Sequence, residues 1–132
     1  MYTKLLPLIL IGLASLSGTA LADAKLKGTL GLSIEQARQV EEIQAQHRPK
    51  FAAKRQERNR ELRVLRRARI ANDSAQIAKQ ETMTAKLHEE LKQIQMHEDA
   101  EIRRVLTPEQ SRKFDGYLKL RKDMAGSSRE GF

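Results

Sequence analysis

Two short stretches decide how this chain is read: Leu32-Ser33-Ile34-Glu35-Gln36 and Leu106-Thr107-Pro108-Glu109-Gln110. Each puts a hydroxyl residue where a helix can begin and a glutamine three residues later. The hydroxyl can accept from the amide of the third helical residue while the glutamine reaches back to the amide of the cap, so two otherwise orphaned donors are satisfied together. Pro108 suits a first helical position, where its missing N–H is no loss, and Glu35 and Glu109 complement the positive end of a helix dipole. One such box is common in helical proteins. Two with the same flanking leucine, one opening the first helix and one the last, are far more specific.

Working outward from the boxes, glycine is absent between Gly31 and Gly116, and Ala, Glu, Gln, Lys, Arg and Leu dominate. These are strong helix formers. Ile34, Ala37, Val40, Ile43, His47 and Phe51 recur every three or four residues and form one face of a first helix. Pro49 has no amide donor and is predicted to break or kink that helix. A second segment runs through Leu62, Leu65 and Ile70 to the turn Asn72-Asp73-Ser74. Asp73, with Gln76 three residues on, caps a third helix carrying Ile77, Leu87, Leu91, Ile94, Ile102 and Val105. At about 33 residues and 1.5 Å per residue it is roughly 50 Å long. The last helix starts at Thr107-Pro108 and uses Phe114, Tyr117, Leu118 and Met124, and residues 126–132, with Gly126, Ser127, Ser128 and Gly131, read as a disordered tail.

The expected fold is therefore all-α: four helices in an elongated hairpin with a long third helix. With 132 residues, 39% hydrophobic and 4% aromatic, the chain has little material for a thick core. Helices of that length cannot cover their own apolar faces, so an elongated dimer is expected. The chain has no cysteine, which excludes disulfides, thiolate metal sites and cysteine catalysis.

Residues 1–22 have a different composition. Lys4 precedes an apolar run from Leu5 to Leu13, interrupted by Pro7, and the stretch ends Ala20-Leu21-Ala22. This three-part layout reads as a secretory signal peptide cleaved after Ala22, leaving a soluble chain from Asp23 with no stable membrane insertion. Residues 23–31 read as a flexible leader and 32–125 as the helical domain. Export to a bacterial periplasm makes nucleic acid an unsuitable partner despite the net charge of +8.

The paired Leu-(Ser/Thr)-x-x-Gln motifs, carried by Leu32, Ser33, Gln36, Leu106, Thr107 and Gln110, combine with the leader, the cysteine-free helical body and the Val-Leu-Thr-Pro-Glu-Gln run. Together they resemble the Spy/CpxP group of periplasmic proteins over residues 30 to 122. Ser33 stands where the group usually has Thr, which keeps the capping chemistry. The resemblance implies a four-helix protein forming an antiparallel, cradle-shaped homodimer. It also implies one of three roles under envelope stress: an ATP-independent chaperone, a modulator of the periplasmic domain of a stress-sensing kinase, or a metal-responsive protein of the CnrX and ZraP types.

The charge is concentrated. Between Arg48 and Arg69 lie ten basic residues, opposed only by Glu57 and Glu61, so this segment alone carries +8. On a helix Phe51, Arg55, Arg58, Leu62 and Leu65 share a stripe with Arg66 and Arg69 at its edge. With Arg63 they are the candidate surface for an unfolded client. Charge steers encounter, and guanidinium groups stack on aromatics and bond carboxylates or carbonyls without demanding a particular sequence. Promiscuous capture of non-native periplasmic proteins fits that chemistry.

Neither metal nor catalysis is indicated. His47, His88 and His97 include no pair at i and i+4, and His88 and His97 fall on opposite sides of a helix. His97 with Glu101 is the best pair within one helix. Glu89-Glu90 and Glu98-Asp99 are adjacent carboxylates pointing apart, and there is no glycine-rich phosphate loop and no recognisable Ser/His/Asp set. No cofactor and no enzymatic activity are expected.

Overall fold

A computed structural model describes residues 26–127, with the side chains of 26–125. The signal peptide read over 1–22, its cleavage after Ala22, and the tail beyond residue 127 lie outside the described residues. Apart from the short connections at 31–33, 71–73 and 106–107, those described are helical, with no strand among them. In chain order they form α1 (residues 26–30), α2 (Ile34–Ile70, 37 residues), α3 (Ser74–Val105, 32 residues) and α4 (Pro108–Ser127, 20 residues). No helix among them is long and apolar enough to cross a membrane.

Three boundaries differ from the sequence reading. Pro49 lies inside α2 and does not divide it, so α2 rather than α3 is the longest helix. The carbonyl orphaned by proline is that of Ala45, and both residues are exposed, so water can satisfy it. On the opposite side Gln44 and His47 are buried, which keeps α2 seated on α3 across the defect. The second difference is the leader. Residues 26–30 are helical and bury Leu26 and Leu30, because two leucines four apart make an apolar face that the core can cover. At the other end of the chain, residues 126 and 127 continue α4 where a disordered tail was read.

α2 and α3 run antiparallel. Arg69 meets Glu81 at 2.9 Å, Lys54 meets Glu90 at 2.7 Å and His47 meets Glu101 at 3.3 Å, so positions rise along α3 as they fall along α2. The turn between them follows from Asn72, which takes the left-handed conformation (φ 53°) that asparagine tolerates. The Asp73 N–H donates to Ala68 O at 3.0 Å and the Asn72 N–H to Arg69 O at 3.2 Å, closing α2 with a Schellman motif. The Asp73 side chain then accepts from the Gln76 amide at 3.1 Å and opens α3.

The two capping boxes form as the sequence implies, and they also meet. Ser33 Oγ accepts from the Gln36 amide (3.1 Å) and Thr107 Oγ1 from the Gln110 amide (3.2 Å). Each glutamine Oε1 accepts from the amide of its own cap at 3.0 Å. The two side-chain amides then pair with each other. Gln36 Nε2 donates to Gln110 Oε1 at 2.7 Å, and Gln110 Nε2 donates to Gln36 Oε1 at 3.1 Å. The remaining N–H of each crosses over: Gln36 to Val105 O (3.0 Å) and Gln110 to Gly31 O (3.2 Å). Gly31 and Val105 each stand two residues before a cap, so the arrangement repeats with the roles exchanged. Two donors and two acceptor sites are used on each amide, which is its full capacity. Gly31 presents its carbonyl from a left-handed conformation (φ 62°) that glycine adopts without strain.

The core lies beneath this double clasp. Leu26, Leu30, Val40, Ile102 and Phe114 are buried, with Leu32, Leu106, Ile43, Val105, Tyr117 and Leu118 packed around them. Phe114 stacks on Tyr117 and has the Arg103 guanidinium 5.8 Å from its ring centre, and Arg103 is in turn held by Asp115 at 2.6 Å. The leucine of each motif therefore seals the core from above while its glutamine ties the helix starts together.

Candidate functional site

Away from the clasp, α2, α3 and the second half of α4 enclose an open groove of about 640 Å³. Phe51 from α2, Leu91 and Met96 from α3 and Leu118 from α4 give it an apolar lining. Arg58, Lys92, Arg121 and Lys122 add cationic groups, against the single carboxylate of Asp99. α4 is positioned here by Phe114, buried in the core, and by Arg121, which reaches Asp99 of α3 at 2.9 Å. The Nε of Arg58 is buried and has no hydrogen-bond partner among the described residues. A mainly apolar cavity of this size with a few convergent polar groups is the usual form of a ligand site.

The candidate client residues do not share one surface. Phe51 and Arg58 line the groove. Leu65 is buried among the helices, 6% exposed, and is removed from the contact surface assigned to it. Its burial is a tertiary effect, since the stripe that holds Leu62 and Leu65 turns partly under α3 and only Leu62 stays at the surface. Arg55, Arg63 and Arg66 are exposed on α2, and Arg63 and Arg66 line a separate hollow with Arg67. The α3 and α4 half of the groove was not singled out from the sequence. A signal for it exists in α4, where Leu118, Arg121, Lys122 and Ala125 recur at helical spacing.

The basic segment is only partly neutralised. Lys54 bridges Glu57 (3.2 Å) and Glu90 (2.7 Å), which raises its pKa and lowers that of Glu90. Arg69 is held by Glu81. Lys50, Arg55, Arg58, Arg60, Arg63, Arg66 and Arg67 make no ion pair among the described residues. The field of the segment is therefore largely available to a partner.

The histidines fall in different places. His47 is buried at the α2–α3 contact and takes Glu101, the carboxylate that spacing alone assigned to His97. Neighbouring Glu98 is half-buried. Loss of solvent and the charge of Asp99 raise its pKa, against the opposing pull of His47, Arg121 and Arg48. His88 lines the groove and His97 is exposed. Among the described residues no three His, Asp or Glu side chains converge as a metal site would require.

No protein family, curated protein or solved structure gives a significant match to this chain.

Proposed function

We propose that this protein is a periplasmic, ATP-independent chaperone that works as an antiparallel homodimer, captures non-native proteins by charge and holds them on apolar surface. The carrying observation is the groove, in which Phe51, Leu91, Met96 and Leu118 lie beside Arg58, Arg121 and Lys122. Unfolded segments present apolar side chains next to carbonyls and carboxylates. The groove offers a partner to each, and the sulfur of Met96 adapts to irregular shapes. Unpaired arginines along α2 extend the attraction beyond the groove, so encounter is fast and holding is weak and distributed. In the dimer, α2 and α3 of each copy would form one arm of a cradle. Leu120 and Met124, 64% and 73% exposed on α4, are apolar surface that a second copy could cover.

The test is aggregation of an unrelated unfolded client, followed by light scattering at low salt, with parent protein and the F51A/R58Q variant. The parent should suppress scattering at substoichiometric to equimolar amounts, and the variant should need at least several-fold more protein. A parent without effect on several clients removes the chaperone reading. Full activity in a folded F51A/R58Q variant would move the client surface elsewhere.

A further inference from the structure

Arg63, Arg66 and Arg67 stand at i, i+3 and i+4 on α2 and line an open surface hollow of about 290 Å³. All three are exposed, and none has a carboxylate partner among the described residues. Like charges at this spacing repel one another. One turn further on, Arg69 is neutralised by Glu81 at 2.9 Å, so the fold can supply an acidic partner to this helix and does not do so here.

We propose that these three arginines form a binding site for a terminal phosphate group. Each guanidinium carries five N–H donors in a planar fork that matches a phosphate edge. A carboxylate offers two coplanar oxygens, which a single fork satisfies. A phosphomonoester offers three oxygens and close to two negative charges, which three neighbouring forks can share. The site is separate from the groove and stands whether or not the chaperone reading does. Its ligand could be a free phosphate compound or a phosphomonoester lipid headgroup, since the chemistry presented to the arginines is the same.

Calorimetry in chloride buffer at low salt, with inorganic phosphate and pyrophosphate, tests the free form. Co-sedimentation with phosphatidylcholine vesicles, with and without phosphatidic acid, tests the lipid form. Binding in the first set assigns a soluble ligand, and binding confined to the second assigns a membrane surface. Either supports the site if R63Q/R66Q/R67Q weakens it at least tenfold while K50Q/R55Q/R60Q, which removes the same charge from the same helix, weakens it less than about threefold. The Arg→Lys triple variant, with charge kept and forks lost, should fall in between. Affinity for inorganic phosphate should rise between about pH 6 and pH 8 as it loses its second proton near pH 7, arginine being charged throughout. No binding in either set, or equal losses in the two Gln variants, or no change with pH, would overturn the proposal, circular dichroism having shown each variant folded.

Discussion

The clasp end of the molecule and the outer face of α2 treat polar groups in opposite ways. At the clasp, Gln36 and Gln110 spend all their hydrogen-bonding capacity on each other, on their own caps and on two carbonyls. On α2, Arg55, Arg60, Arg63, Arg66 and Arg67 are exposed without ion pairs among the described residues. The first region is closed and lies over the buried residues of the core. The second keeps its interactions for something outside the chain. A fold with so little apolar material can leave one long helix face uncommitted because its specification is concentrated at the other end.

The largest effect that would break this contrast is loss of the core under the clasp. Phe114→Ala removes a ring that is 1% exposed, stacked on Tyr117 and faced by Arg103. The expected cost is about 3–5 kcal/mol, the range for truncating a buried aromatic, which is a large share of the stability of a domain of this size. Urea denaturation followed by circular dichroism reads it. A variant as stable as the parent would mean that the clasp end is not where the fold is held.

A sharper version uses Gln110→Glu. In an isolated capping box Glu serves as well as Gln, so the helix start alone predicts almost no change. The paired arrangement predicts otherwise. A carboxylate can still accept from the Thr107 amide, yet it has no N–H for Gly31 O or for Gln36 Oε1. Water can reach the exposed Gly31 carbonyl, so the expected loss at neutral pH is that of the bonds themselves, about 0.5–1.5 kcal/mol. The double variant Q36E/Q110E sets two carboxylates face to face, which raises the pKa of at least one of them, so its extra destabilisation should shrink as pH falls and a proton bridges the pair. Chemical denaturation at pH 7 and pH 4 separates these outcomes, and a neutral Q110E would show that the two boxes act independently.

The same contrast explains what could be read in advance. Helix starts at Ser33, Asp73 and Thr107 were legible because a cap and its partner lie three residues apart, within one local stretch. The pairing of Gln36 with Gln110 was not, since the two are 74 positions apart and nothing in either box names the other. Pro49 misled for the same reason: its local cost is real, and contacts between α2 and α3 on both sides of it override that cost. Leu26 and Leu30 lie in a short segment with two glycines, where no periodic run announces a helix, and only the core shows why they order. Within the candidate site, Phe51 and Arg58 were legible from one helix. Met96, Leu118 and Arg121 required knowing where α4 lies.

The smallest effect is expected where the contrast is most exposed to test. Replacing Arg63, Arg66 and Arg67 together with glutamine removes three charges from α2 without removing a described ion pair. Glutamine matches arginine closely in helix propensity, so the backbone should not register the change. The pairs 63–66 and 63–67 repel across one turn, each by about 0.2–0.5 kcal/mol in a dilute medium. Relief of that repulsion should leave the triple variant as stable as the parent, or more stable by on the order of 0.5 kcal/mol, at low salt in phosphate-free buffer. At about 1 M salt the Debye length is roughly 3 Å and the difference should vanish. Paired urea titrations at the two salt concentrations measure it. If the triple variant instead loses more than about 1 kcal/mol at both, those arginines are structural contacts, for instance to a second copy of the chain. The division between a closed end and an open face would then not hold.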